Sequence, residues 1–478
     1  MESKTRIDNT RRSSTVTADT FFICSIGVLG INLINPAIAF FPQCLMALYA
    51  LLKFDVKYLP SLLILLLDKG NFTSVLIEGD DAGVFKLLIA GLPVSVLNLF
   101  LAELCAVSII MWIRKKLAPS MNLLMGLWLV SLVVSGIISI RAIGRVPYWL
   151  NPVAGAMAFS LYFYGYLLAP SWMYGYRFLL KRFVVTGSIL MLLSFFGFFS
   201  GRLMFLFAAC LPAFSVYLLL RNPDLTGRLV AFAGLFSAYV YVLFFRYVAL
   251  ERLDRVAEST SQEIGASLTI LGVCVLATLF TAIYCLTPKV FRRMTNVIPW
   301  GSLLLCFLIV VYAAKRYQAT EMDGSDIRSF QERAIFKLIG DRGQVWSDSM
   351  DEALKAPYII KHQEDRLVLL STNELGQKLL PHNQYLFLLV IHGWLSGNIL
   401  ALLLWITHLR SFRAVQDGGS QYGVGVVVIT GAVLFICVGL TGQNHLISLG
   451  DSWGVLLFSG TAYGVFLKGR CTKNFGSL

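Results

Sequence analysis

The chain has 478 residues, of which 57% are hydrophobic and 14% charged, and its formal net charge at pH 7 is +13. Soluble globular proteins carry about 25% charged residues, so this composition excludes a water-soluble fold. Nearly continuous apolar runs of about 18 residues or more also exclude a transmembrane β-barrel, whose strands alternate apolar and polar residues. The sequence therefore predicts an all-α protein, a polytopic transmembrane helical bundle.

Apolar windows of membrane-spanning length recur along the chain from Phe21 to Leu467. In chain order they predict about twelve spans, over 21–52, 84–113, 121–140, 150–169, 183–200, 203–220, 230–250, 266–286, 298–314, 384–408, 423–440 and 446–467. An alternative prediction breaks the first run into a hairpin at Asn35-Pro36 and adds a crossing over 59–67, which gives about fourteen spans. Both predictions leave the large polar loop on the same side of the membrane.

Basic residues collect in the short connectors that this topology places on one side. They are Arg114, Lys115 and Lys116; Arg177, Lys181 and Arg182; Arg221 and Arg228; Lys289, Arg292 and Arg293; and Lys468, Arg470 and Lys473. By the positive-inside rule, we expect this side and both termini to face the cytoplasm. The same placement explains the net charge without a nucleic-acid partner.

The polar and apolar segments divide the chain into five predicted regions. We expect a cytoplasmic tail over 1–20, a first transmembrane part over 21–314, an external loop over 315–383, three further spans over 384–468, and a cytoplasmic tail over 469–478. The basic start of the chain lacks a short apolar segment with a small-residue cleavage site, so we expect it to be retained rather than removed as a signal peptide.

The external loop is mixed in charge, with 11 acidic and 10 basic residues. Within it, Ile327, Phe330, Ala334 and Leu338 recur at helical spacing, and Trp346, Met350 and Leu354 do so again before Pro357. The loop is therefore predicted to contain two amphipathic helices that lie across the membrane core. The nine cysteines of the chain lie almost wholly in apolar runs and form no C-x-x-C pair, so neither a disulfide framework nor a zinc site is predicted.

Several cationic or titratable side chains are predicted to face the external side, namely Arg141, Arg145, Arg202, Arg342, His382 and His445. Arg202 ends the connector Ser200-Gly201-Arg202, so its guanidinium would stand at the edge of the hydrocarbon and needs an anionic partner. That partner is either a lipid phosphate or a substrate phosphate. Arg141 and Arg145 depart from the positive-inside pattern, and the same two explanations apply to them.

His382 follows Pro381 and opens the next apolar run, which places it in the first turn of a helix at the membrane surface. The helix dipole disfavours its protonation there, and a neutral imidazole can act as a general base. The alternative is an interfacial histidine without a chemical role. His445 is a second external candidate.

Arg202, Arg342 and His382 each lie in a short segment that resembles a known motif. The segments are Ser200-Gly201-Arg202-Leu203, Gly340-Asp341-Arg342-Gly343-Gln344-Val345-Trp346, and His382-Asn383-Gln384-Tyr385-Leu386. Together they resemble the serine-arginine turn, the G-R-x-x-x-W helix of the large periplasmic loop, and the histidine motif of the late span in the O-antigen ligase and O-antigen polymerase superfamily. The three segments stand in the order that this family shows.

The resemblance implies a GT-C-like membrane glycosyltransferase of the bacterial inner membrane, with its active site facing the periplasm. In such an enzyme Arg202 and Arg342 would stabilise the pyrophosphate leaving group, and His382 would take the proton of the acceptor hydroxyl, so that the anomeric configuration inverts. No metal or other cofactor is expected. Substrate-binding roles would fall to Arg141, Arg145, Asn383, Trp346 and His445.

The implied donor is a glycan linked to undecaprenyl pyrophosphate. The acceptor is another lipid-linked glycan if the enzyme is a repeat-unit polymerase, and lipid A-core if it is an O-antigen ligase. We favour the polymerase, because the extra hairpin over 230–286 and the fourteen-span alternative fit it better. Membrane lipids and a chain-length regulator are further candidate partners, and no nucleic acid is expected.

Two other classes remain open. Glu78, Asp80 and Asp81 form an acidic cluster in the first external loop, where a metal-dependent GT-C transferase would bind a divalent cation; the flanking glycines equally suit a plain turn. A lipid-linked oligosaccharide flippase or another transporter would carry charges deep within its spans, and Glu103 is the clear mid-span charge here.

Overall fold

The structure is a computed structural model of the chain. It describes residues 2–66, 87–89, 92–94, 96–114, 150–194, 204–222, 224–253, 260–297 and 300, with shorter stretches between 126 and 141, 389 and 433, and 457 and 467. This part of the chain is overwhelmingly helical, which confirms the all-α class.

The elements follow one another along the chain in this order: α1 (Glu2–Ile34), α2 (Pro36–Lys53), a 3-10 turn (Val56–Tyr58), α3 (Leu59–Leu65), β1 (Leu87–Ile89), β2 (Leu92–Val94), α4 (Val96–Ile113), α5 (Leu150–Ser194), α6 (Met204–Arg221), α7 (Leu225–Leu253) and α8 (Thr260–Leu286). Further helical residues lie at 288–297 and in the shorter stretches, including 394–399 and 460–465.

Helices α1 and α2 form an antiparallel hairpin. Asn35 caps α2 by accepting hydrogen bonds from the backbone N–H groups of Ala37 and Ile38, and a proline occupies the first turn, where its missing N–H costs nothing. The ring of Phe21 stacks on Tyr49 with centroids 5.3 Å apart, so the two helices lie side by side. The first apolar run is therefore broken at Asn35-Pro36, as in the fourteen-span prediction.

Helix α3 is short and buried along its whole length. Its seven residues rise only about 10 Å, which is less than a bilayer core. Residues 67–86 lie outside the described part of the chain, so the added crossing of the fourteen-span alternative stays a prediction. The carbonyl oxygen of Leu65, at the C-terminal end of α3, accepts a 3.0 Å hydrogen bond from Nε2 of Gln43, whose Oε1 accepts a 2.9 Å bond from Asn32. A buried side-chain amide thus satisfies one of the last carbonyls of this helix.

The second predicted span is shorter than the sequence indicates. Residues 87–89 and 92–94 form an antiparallel pair of strands, with Leu88 opposite Pro93, and helix α4 begins only at Val96. Proline inside a helix removes a hydrogen bond and clashes with the preceding turn, so Pro93 explains why the apolar run does not continue as helix. The prediction of one helix from residue 84 to 113 is therefore wrong.

Helix α5 is one continuous helix of 45 residues, whereas the sequence predicts two spans separated by a basic connector. At 1.5 Å per residue it is about 68 Å long, more than twice the thickness of a bilayer core. Arg177, Lys181 and Arg182 interrupt the hydropathy but are good helix formers, so they do not interrupt the helix. Its first half packs against α4 and a C-terminal helix, and its second half packs against α6 and α7.

The C-terminal helical residues approach α5 very closely. A Cβ on Gly165 would lie 2.0 Å from the carbonyl oxygen of Leu457, and a Cβ on Gly464 would lie 2.6 Å from the Cβ of Ala169. Small residues four positions apart on both helices, as in the G-x-x-x-G spacing of Gly460 and Gly464, permit this backbone contact.

Helices α6, α7 and α8 form a three-helix unit against the second half of α5. The interface is aromatic and tight: the ring of Phe183 lies edge-to-face on Phe214 at 5.1 Å, and Gly234 on α7 leaves room for Val184 and Ser215. Both halves of α5 contribute to a single buried apolar core, and Trp172, near its middle, is fully buried.

Within the described residues, two helices are long and apolar enough to cross a membrane, Pro36–Lys53 and Leu225–Phe244. Thr17–Asn32, Ala209–Arg221 and Ile270–Leu286 are shorter apolar segments.

Candidate functional site

The sequence predicts eight site residues, and the structure describes one of them. Arg141 is exposed and lies in a helical stretch, which leaves its guanidinium accessible. The other seven fall outside the described residues: His382, Arg342, Arg202, Arg145, Asn383, Trp346 and His445. The meeting of Arg202, Arg342 and His382 at one site therefore stays a prediction. Glu78, Asp80 and Asp81 of the metal-dependent alternative also lie outside the described part.

The structure brings together residues of two of the basic groups at one end of the α6–α8 unit. Nζ of Lys181 lies 2.8 Å from Oδ2 of Asp224, and Arg182 pairs with Asp19 of α1. Arg221 at the end of α6 donates a 2.8 Å hydrogen bond to the carbonyl oxygen of Cys285 at the end of α8. These contacts define a basic end of the α6–α8 unit, which lies beside the second half of α5.

The turn between α6 and α7 shows why this end is ordered. Asp224 accepts a 3.2 Å hydrogen bond from the backbone N–H of Thr226 and so caps α7. Arg228 donates from Nε to the carbonyl oxygen of Asn222 at 2.9 Å, and Gly227 leaves space for the Asn222 side chain, since a Cβ there would lie 1.8 Å from its Nδ2. The hydrogen bond from Lys181 holds the pKa of Asp224 below its usual range.

Three tyrosines lie just inside the basic end. Tyr217 and Tyr284 stack with ring centroids 6.5 Å apart, and the hydroxyl oxygen of Tyr176 accepts a 3.1 Å hydrogen bond from Nε of Arg177. Gly423, at φ 63°, allows the C-terminal part of the chain to pass close to Tyr176. Tyrosines next to basic connectors are typical of a membrane interface, and that is the only sequence signal for this cluster.

Glu103 is the one mid-span charge that the sequence analysis noted, and the structure places it within α4. It is partly buried, and its Oε2 is enclosed without a hydrogen-bond partner among the described residues. A carboxyl group in that position is costly unless it is protonated or meets a ligand.

Helix α6 runs between the two ends of the α6–α8 unit. Its 18 residues rise about 27 Å, from Met204 to Arg221 at the basic end. Met204 follows Arg202 by two residues in the sequence, so the chain enters α6 from the end opposite the basic one.

Comparison with known proteins adds no relative: no family model, no curated protein and no solved structure matches this chain.

Proposed function

We propose that this chain is a membrane glycosyltransferase of the O-antigen polymerase type, which transfers a glycan from an undecaprenyl-pyrophosphate donor to an acceptor hydroxyl at the external membrane face. The observation that carries the proposal is the polarity of α6. Its C-terminal end carries the basic, ion-paired connectors, and its N-terminal end follows Arg202 of the serine-glycine-arginine segment.

Membrane placement is supported by the surface of the helices. Leu45 on α2 is 68% exposed and Phe232 on α7 is 63% exposed, although both lie in the two helices that are long and apolar enough to cross a membrane. Large apolar side chains exposed along such helices are stable when they face hydrocarbon. The basic end then faces the cytoplasm, and the N-terminal end of α6 faces outward.

The proposed reaction is a displacement at the anomeric carbon, in which negative charge develops on the pyrophosphate leaving group. The acceptor oxygen attacks the anomeric carbon of the donor while the bond from that carbon to the pyrophosphate oxygen breaks, and His382 takes the hydroxyl proton. Undecaprenyl pyrophosphate leaves with the bonding electrons. Arg202 and Arg342 stabilise this developing negative charge as fixed cations, and the anomeric configuration inverts.

The test is glycan transfer by variants that still insert into the membrane. His382→Ala should lower the rate by about 10²- to 10⁴-fold, the usual contribution of a general base, and Arg202→Ala and Arg342→Ala should abolish glycan ladders. Arg293→Ala is the matched control, because this exposed arginine lies after α8 in a basic connector, and it should keep the wild-type ladder. Wild-type ladders from all three site variants would overturn the proposal.

A deletion strain separates the polymerase from the ligase. Loss of a polymerase leaves core capped with a single repeat unit, because the ligase still works on unpolymerised donor. Loss of the ligase leaves uncapped core and accumulated lipid-linked polymer. We expect the single-repeat pattern.

A lipid-linked oligosaccharide flippase is the second candidate, and the enclosed Oε2 of Glu103 favours it. Translocation of a labelled lipid-linked sugar in reconstituted vesicles, compared between the wild type and Glu103→Gln, distinguishes the two. A glycosyltransferase leaves translocation at the level of empty vesicles.

A further inference from the structure

A shallow groove of about 370 Å³ runs between α1 and α2 on the outer surface of the hairpin. Thr17, Thr20 and Cys24 form its α1 side, and Leu45 and Tyr49 belong to its α2 side. Its walls are almost wholly carbon, and it is widely open to the surface. A groove of this shape suits a flexible hydrocarbon chain better than a compact polar molecule.

The groove lies on a surface that is apolar beyond its own walls. Ile23 is 68% exposed and Phe41 is 61% exposed on the same two helices. If the hairpin crosses the membrane as proposed, this surface faces lipid tails, and the occupant of the groove comes from the bilayer.

One end of the groove carries a cation. Lys53, the last residue of α2, is exposed, and its Nζ lies 4.8 Å from the centroid of the Tyr49 ring, which lines the groove. Arg182 lies over the Phe22 ring nearby but is already paired with Asp19. Among the described residues, Lys53 makes no ion pair, so its charge is available to a ligand at the end of the groove.

The contacts of Asp19 show that the Lys53 end of the groove lies near the basic end of the α6–α8 unit. Asp19 lies between Thr17 and Thr20 in the sequence and pairs with Arg182, and the neighbouring Lys181 pairs with Asp224 at the basic end. The end of the groove near Lys53 is therefore the end proposed to face the cytoplasm, where anionic headgroups are attracted by basic side chains.

We propose that this groove binds one anionic diacyl phospholipid of the cytoplasmic leaflet, with an acyl chain along Cys24 and Leu45 and the headgroup phosphate against Lys53. The site is distinct from the glycan-transfer site, which lies at the opposite face, and it rests on the membrane orientation proposed above.

The experiment measures retained lipid by native mass spectrometry of the purified full-length chain, after incubation with phosphatidylglycerol or with phosphatidylethanolamine of the same acyl chains. The wild type should retain one phosphatidylglycerol, with about a fivefold preference for it, which is the contribution of a single lysine near a membrane surface. Lys53→Gln should lose the preference. Lys289→Gln, which removes an exposed lysine after α8, is the matched control and should keep it.

A second readout reports directly whether the groove is occupied. Cys24 is exposed and lines the groove, so bound phosphatidylglycerol should slow its alkylation by N-ethylmaleimide at least severalfold in the wild type but not in Lys53→Gln. Met46→Trp, which fills the groove, should lower retention of both lipids, whereas Ile38→Trp, at an exposed position elsewhere on α2, should not.

Three results would overturn the site. They are an unchanged preference in Lys53→Gln, an unaffected alkylation rate, and retention of undecaprenyl phosphate in place of phosphatidylglycerol. Glycan transfer measured on the same variants keeps the two proposals apart, because Lys53→Gln is expected to transfer glycan at the wild-type rate.

Discussion

Gly460 lies so close to Tyr162 that a Cβ on the glycine would stand 1.9 Å from the tyrosine's carbonyl oxygen. No side-chain rotation relieves that contact, because the opposing atom is backbone. The glycine therefore determines how closely the C-terminal helix approaches α5.

Gly460→Ala should destabilise the protein by about 1 to 3 kcal/mol, because the two helix backbones must separate to admit the methyl group. Thermal unfolding in detergent measures the effect. Gly272→Ala is the control: nothing lies within 4 Å of a Cβ there, and alanine is the better helix former, so its melting temperature should be equal or higher. Equal destabilisation by both substitutions would contradict the packing argument.

Gln43→Leu should cost about 1 to 3 kcal/mol, because it removes the acceptor of the Asn32 amide and the donor to the carbonyl oxygen of Leu65 in a buried region. Denaturant or thermal unfolding in detergent reports this change. In a double-mutant cycle, Asn32→Leu should cost clearly less in the Gln43→Leu background than in the wild type. Strict additivity would show that the two amides do not act together.

The pairing of Asp224 with Lys181 should make stability depend on pH on the acid side. Since the folded-state pKa of Asp224 lies below its unfolded value of about 3.9, the contribution is fully present above that value and is lost as pH falls through the folded pKa. Melting temperatures between pH 5 and pH 2 should therefore fall more steeply for the wild type than for Asp224→Asn. Lys181→Gln should flatten the curve in the same direction, and parallel curves for wild type and both variants would refute the linkage.

Glycan transfer should not require a divalent cation. Because two arginines are proposed to stabilise the leaving pyrophosphate, activity should survive a chelator, and Asp80→Asn should be tolerated. The measurement is ladder formation in membranes treated with EDTA, with readdition of magnesium as the control. Complete loss that magnesium restores would favour the metal-dependent alternative built on Asp80 and Asp81.

The hairpin of α1 and α2 predicts that residue 35 and the basic end lie on opposite sides of the membrane. In a chain whose native cysteines are replaced, Asn35→Cys should react with an impermeant maleimide added outside the cell. Lys289→Cys should react only after the membrane is opened. Reaction of both residues from the same side would refute the proposed orientation.

The all-α class and the break at Asn35-Pro36 could be predicted from the sequence, because apolar run length and proline act locally. The continuity of α5 could not be predicted from hydropathy. Arg177 and Lys181 end an apolar window, yet their backbone groups continue the helical hydrogen bonds. The close approach of Gly460 to Tyr162 was equally inaccessible, since it joins residues about 300 positions apart and depends on which helices become neighbours.

The candidate site, like the fold, could be predicted from the sequence only in part. The positive-inside rule predicts that the basic connectors share one face of a membrane. In the structure Lys181, Arg182 and Arg221 lie at one end of the α6–α8 unit, and the shared face of all the connectors stays a prediction. The tyrosines at that end were missed, because Tyr217 and Tyr284 become neighbours only through the packing of α6 on α8.

The hydrogen bond between Gln43 and Leu65 has a consequence for biogenesis. A half-length helix that stops within an apolar interior exposes carbonyl groups that hydrocarbon cannot solvate. During synthesis the ribosome releases Gln43 before Leu65, so the partner for that carbonyl is already positioned when α3 arrives. The first two helices therefore act as a template that later segments need, and translocation intermediates truncated before Leu66 should already contain the closed hairpin.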